Sequence, residues 1–161
     1  MDNCLITGTS TGIGYAAAVH LARNGFRVHA TMRDLTKSGP LKETIKSENL
    51  SITVHKLDVT DERSIEQAIT KIVDAEEHID VLINNAGITQ PVKFEEILPE
   101  DYDRILDVNL RGMLYMSQAV VPYMKAAKSG SIINTSSVSA QRGGGIFGGP
   151  HYSAAKAGML G

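Results

Sequence analysis

The sequence predicts an α/β protein, a doubly wound parallel sheet in strand order 3-2-1-4-5 with helices on both faces. Three observations predict it. Short apolar runs alternate with longer segments of helical period, the pattern of repeated βα units. The stretch TGTSTGIG, Thr7 to Gly14, sets three glycines between the first apolar run and the first helical segment. Right-handed crossovers between parallel strands then place that first loop at the switch point, where the strand order reverses and ligands bind.

Taken in order, strands are expected over Asn3–Thr7, Arg27–Met32, Ser51–Leu57, Val81–Asn84 and Ser131–Thr135. The first helix should run from Gly12 to Asn24, with Gly25 as a left-handed stop. Thr60 or Asp61 can cap the helix after the third strand, whose Ile65, Ala68, Ile69, Ile72 and Val73 form one apolar stripe. A long helix is expected from near Pro99 to about Met124, with Pro122 kinking or fraying its last turn. RGGGIFGGP, Arg142 to Pro150, reads as a glycine-rich loop at the carboxyl edge of the sheet, bordering a substrate pocket.

The chain of 161 residues fits a single domain spanning 1–161. Its 42% apolar content is ordinary for a globular protein, and a net charge of -2 offers no basic field for nucleic acid or an anionic membrane. Small molecules and protein subunits are therefore the expected partners. Cys4 is the single cysteine, set in an apolar run, which points to a buried bystander in a reducing compartment. Without a signal-like leader or an apolar run of spanning length, the expected location is cytoplasmic. The histidines at 20, 29, 55, 78 and 151 show no ligand spacing, and no metal is expected.

With a strand before them and a helix after them, the glycines read as a phosphate cradle. Gly8 takes the tight turn, Gly12 lets the backbone approach a diphosphate, and Gly14 permits close packing, while free N–H groups at the helix start face the anion. LDV at 57–59, NNAG at 84–87, NTSS at 134–137 and YSAAK at 152–156 follow in order. Together these motifs resemble the short-chain dehydrogenase/reductase family, over essentially the whole chain. ATMRDL after the second strand resembles the retinol and hydroxysteroid dehydrogenase branch, and SAAKAG the 3-oxoacyl carrier-protein reductases.

The resemblance implies a nicotinamide dinucleotide in a Rossmann crevice. Gly8, Thr9, Ser10, Gly12, Ile13 and Gly14 would hold its diphosphate side, Asp58 and Val59 would lie at its adenine and Asn85 beside its sugar, with Ala86 and Gly87 also binding the cofactor. Asp58 could alternatively serve as a helix-entry carboxylate, and Asn84 and Asn85 as turn formers. The family's NAD-selective members carry an acid at the end of the second strand, where this chain has Met32 and then Arg33. A guanidinium there pairs with a 2′-phosphate, so NADP is expected; a one-residue shift would bring in Asp34 and favour NAD.

Tyr152 and Lys156 stand four apart, on one face of a helix. An ammonium ~4 Å from a phenol, at an effective dielectric of ~20, favours the phenolate by about 4 kcal/mol and brings proton relay into range. The resemblance implies that Tyr152 donates the proton to a substrate carbonyl, Lys156 tunes it and binds the ribose, Ser137 orients the carbonyl, and Asn109 holds a water linking Lys156 to solvent. Ser139 is the alternative to Ser137, since the spacing from Ser137 to Tyr152 is longer than the family's.

Gly161 falls five residues after Lys156, so by this resemblance the sheet lacks the family's last strands and the domain is C-terminally incomplete. Two function classes are thus expected. One is an oxidoreductase acting on a small carbonyl or alcohol; the other is a dinucleotide-binding fragment that needs a partner or further chain. Self-association into a homo-oligomer is expected through the outer edge of the fifth strand or the apolar face carrying Leu110 and Met113.

Overall fold

The computed structural model describes residues 1–143 and 145–161, the side chains of 145–147 excepted. Its five strands are β1 (Asn3–Ile6), β2 (Arg27–Met32), β3 (Ile52–Lys56), β4 (Val81–Asn84) and β5 (Ser131–Asn134). They pair in parallel in the expected order β3-β2-β1-β4-β5. Strands β1, β3 and β5 end one residue earlier than the apolar pattern suggested, where the chain turns into the loops of the carboxyl edge.

Every residue of β1 is buried, as a central strand covered on both faces requires. The strand period of two divides its side chains. Cys4 and Ile6 pack with Val28, Ala30 and Leu41 under α1 (Gly12–Arg23) and α2 (Gly39–Glu48), while Leu5 packs with Leu82 on the opposite face. That second face is covered by α3 (Glu62–Glu76), through Ile65, Ile69 and Ile72, and by the long helical segment, through Met116 and Val120. Burial pushes the Cys4 thiol up to about 12, leaving it an unreactive apolar filler.

Local signals place the helix ends. α1 stops before Gly25, whose φ is 87°, and Asp61 rather than Thr60 caps α3, accepting from Arg63 N and Ser64 N. The long helix departs from expectation. It comprises α4 (Pro99–Leu106), a π turn over Asp107–Arg111 and α5 (Gly112–Ala127). Pro122 does not fray it: α5 runs on to Ala127 and closes at Lys128, in the left-handed conformation.

The glycine-rich stretch is also corrected. It is helical on either side of position 144, which lies outside the described residues: α6 spans Ser139–Arg142 and α7 Gly145–Gly158, broken at Gly149 with φ 76° and ψ 163°. The outer strand β5 leaves Ile133 half exposed. Among the described residues no helix is long and apolar enough to cross a membrane.

Candidate functional site

The loop after β1 is shaped by two backbone requirements. Gly8 has φ 71°, and a Cβ there would sit 2.8 Å from Ala86 Cα, so the turn is tight and pressed against the segment after β4. Gly14 fails differently: its Cβ would fall 2.2 Å from the Gly8 carbonyl oxygen and 2.4 Å from Asn85 Nδ2. That close approach brings α1 directly under the loop. Around Gly12 there is open space instead, and a Cβ added there would meet nothing within 4 Å.

The helix start beneath this space lacks a protein cap. Thr11 makes no side-chain cap bond and no acidic residue occupies the first turn of α1, whereas Asp61 caps α3. Donor N–H groups at a helix N-terminus that no side chain satisfies form a site for an anion. These features open onto a crevice of about 360 Å³. Gly8, Ser10, Ile13 and Gly14 line it from the loop and start of α1, Arg33, Asp58 and Val59 from the segments after β2 and β3, and Asn85, Ala86 and Gly87 from the segment after β4.

Of the expected cofactor residues, Gly12, Tyr152 and Lys156 do not line this crevice, and neither does Thr9. It is fully buried, and both its hydroxyl and its N–H donate to the Thr31 carbonyl, at 3.0 and 2.9 Å. It ties the glycine turn to β2. Asn85 lines the crevice yet also binds the turn, its Nδ2 donating to the carbonyls of Thr7 and Gly8. Thr7, which the sequence reading passed over, supports both: its hydroxyl oxygen accepts from Asn85 N at 3.0 Å and Ala86 N at 2.9 Å. The signal was present in the opening motif, as the residue just before Gly8.

Strand β2 ends at Met32, and the following Arg33 faces the crevice. Asp34 turns away, its carboxylate accepting from Thr36 N and Thr36 Oγ1 to cap a short 3₁₀ turn. Those bonds hold its carboxyl below the usual carboxylate range. Asp58 is both a crevice residue and a turn former, its Oδ1 accepting from Thr60 N and Oγ1.

On α7, Lys156 is buried and donates to the Thr135 carbonyl at 2.6 Å. Burial lowers its ammonium's proton affinity. Nζ lies 5.9 Å from the centroid of the Tyr152 ring and 3.6 Å from where a Gly87 Cβ would stand. Ser136 Oγ donates to the Lys156 carbonyl at 2.8 Å, fastening α7 to the end of β5 beside Ser137. The Ser137 hydroxyl oxygen accepts from Ser139 N at the start of α6.

Asn109 sits in the π turn, buried against Gly87. Its side chain is already engaged, Nδ2 donating to the Ile88 and Ile105 carbonyls and Oδ1 accepting from Ile88 N. Two histidines dismissed by spacing also meet, His29 Nδ1 and His55 Nε2 lying 3.1 Å apart between β2 and β3.

Comparison with known proteins places this site in a wider context. The family model for short chain dehydrogenases matches residues 2–161. The chain is 44% identical over 165 residues to the uncharacterized short-chain type dehydrogenase/reductase y4mP of Sinorhizobium fredii, covering 98% of this chain and 63% of that protein. It is 39% identical over 163 residues to the 3-oxoacyl-[acyl-carrier-protein] reductase FabG of Thermotoga maritima, with the same coverage of 98% and 63%. The crystal structure of a putative short-chain dehydrogenase/reductase from Burkholderia xenovorans superposes with a TM-score of 0.93 at 32% identity, covering 99% of this chain and 64% of that one. The chain thus spans a little under two thirds of the length of these relatives.

Proposed function

Because the chain belongs to the short-chain dehydrogenase family of oxidoreductases, we propose that it binds NADP in the crevice above the sheet and interconverts a small carbonyl and its alcohol. One observation carries this reading. A single open crevice runs from the uncapped start of α1 to Gly87, and the buried Lys156 ammonium packs against that glycine.

The backbone of Gly8, Ser10, Gly12, Ile13 and Gly14 cradles the diphosphate, and Arg33 pairs with the 2′-phosphate. Asp58 and Val59 take the adenine; Asn85, Ala86 and Gly87 flank the nicotinamide ribose. When bound, the cofactor supplies the hydride. The protein's own part is the proton. Tyr152 gives its hydroxyl proton to the carbonyl oxygen, Ser137 donates a hydrogen bond that orients that oxygen, and Lys156 stabilises the phenolate left behind. A buried ammonium with three donors and one carbonyl acceptor has hydrogen bonds to spare for a ribose hydroxyl. Asn109 would hold the water linking Lys156 to solvent, although its side-chain amide is already bonded to the backbone of Ile88 and Ile105.

The name of the Thermotoga maritima relative makes a 3-oxoacyl thioester the first substrate to try. The decisive experiment titrates the chain with NADPH and NADH and then follows oxidation of the bound cofactor. NADPH should bind more tightly, Arg33→Asp should reverse that order, and Tyr152→Phe should abolish turnover while sparing binding. Binding without turnover in the unmodified chain would favour the dinucleotide-binding reading, and a native preference for NADH would remove Arg33 as selector.

A further inference from the structure

We propose that His151 is a positioning residue, which with Gln90 and Arg104 locks the helix carrying Tyr152 and Lys156 onto the segment that follows β4. Its consequence for turnover rests on the oxidoreductase reading above, while the contact itself does not.

His151 immediately precedes Tyr152 and is buried. Its Nε2 lies 3.4 Å from Gln90 Oε1, and Arg104 Nη2, from α4, donates to the same oxygen at 3.2 Å. An arginine can only donate, so the Gln90 amide must turn its oxygen toward it. The imidazole then has to donate as well. That assigns the proton to Nε2 and leaves Nδ1 as a bare acceptor, and Nδ1 is indeed buried without a partner among the described residues. A second proton would place an N–H where the described residues offer it no acceptor. The charged groups that face the ring are Asp101 and Arg104, both from α4 and 3.6 Å apart. Burial lowers the proton affinity of His151, Arg104 lowers it further and Asp101 opposes them.

Gly149 supplies an independent observation at the same seam. Its φ is 76°, and a Cβ there would meet the Gln90 carbonyl oxygen at 2.5 Å and His151 Cε1 at 2.8 Å. The chain therefore enters the helix pressed directly against Gln90, three residues beyond Gly87. Successive residues of a helix are rotated by about 100°. With His151 fixed to Gln90, the rotation of the helix is fixed too, and with it the direction in which the next residue, Tyr152, projects. Errors of ~1 Å in such positions cost up to about 10²-fold in rate.

The test uses the 161-residue chain with ¹⁵N-labelled histidine, alongside His151→Leu, His151→Gln and Gln90→Leu. The unmodified chain should show His151 neutral at pH 7 and protonated at Nε2. Amides of 151–158 should exchange at least about tenfold faster in His151→Leu and Gln90→Leu, and regain protection in His151→Gln, whose amide restores the donor. In the reductase assay kcat should fall about 10- to 100-fold in the two leucine variants, with KM for NADPH nearly unchanged and the glutamine variant rescued. An Nδ1–H tautomer, a charged ring at pH 7, or unchanged exchange in both leucine variants would overturn the proposal. If the unmodified chain reduces no carbonyl, the oxidoreductase reading falls, and tautomer and exchange still decide the contact.

Discussion

Replacing Gly14 with alanine should be among the most damaging single-methyl additions in this protein. The new carbon would lie 2.2 Å from the Gly8 oxygen and 2.4 Å from Asn85 Nδ2, where ordinary contact begins at 3.4 Å. Those two atoms are themselves hydrogen-bonded at 3.1 Å. No rotamer change relieves the clash, because one partner is backbone; α1 has to recede by about 1 Å. Overpacking of this kind costs ~1–3 kcal/mol. Loss of the Asn85 bond adds ~0.5–1.5 kcal/mol, for a total of roughly 2–4 kcal/mol. For a chain of this size that is about 4–16 °C in Tm. Gly39→Ala is the matched control, since Gly39 has helical angles and open space, and alanine there should be neutral or stabilising by up to ~1 kcal/mol. Urea melts of the three chains measure both effects, and NADPH titration should show weakened binding in the Gly14 variant alone. A Gly14→Ala chain within about 1 kcal/mol of the unmodified one would refute the packing argument.

Three further outcomes are expected. Acid should weaken the fold through His29, which burial and the neighbouring His55 push down to about 4 from the ordinary 6.5. The unfolded chain binds that proton first, so the contribution is complete above pH 6.5 and is lost as pH falls toward 4, by up to about 3 kcal/mol; urea melts of His29→Leu should show a flatter acid limb. Thr7→Val strands the amides of Asn85 and Ala86 and should cost about 2–4 kcal/mol in the same melts, with Thr7→Ser within about 1 kcal/mol of the unmodified chain. Lys156→Met removes a buried ammonium that burial disfavours, so its Tm should match or exceed that of the unmodified chain while reductase turnover disappears; a Tm lower by several degrees would show that the Thr135 bond outweighs the burial of charge.

Sheet order, helix stripes and the glycine crevice were legible because they follow from patterns local in the chain. Alternation of apolar runs with helical segments, and glycine spacing between a strand and a helix, need no knowledge of distant residues. The π turn was less legible, since Pro99 to Met124 carries an uninterrupted helical period and the shift comes from the fit of Asn109 to the backbone of Ile88. The segment around Gly149 read as loop from its composition, yet tertiary contact with Gln90 and His151 makes it a helix entry.

The sequence by itself determined the fold class and the strand order. Each of these follows from the order of elements and the handedness of their crossovers. Only the tertiary structure decided how each polar group is used. Arg33 faces the crevice because Asp34 is taken up by Thr36, and Thr9 is withdrawn to the Thr31 carbonyl. His29 meets His55, and His151 meets Gln90, across 26 and 61 residues of chain. A polar side chain bonds to whatever the fold brings within about 3 Å, and residues far apart in sequence supply that partner only once the core has closed.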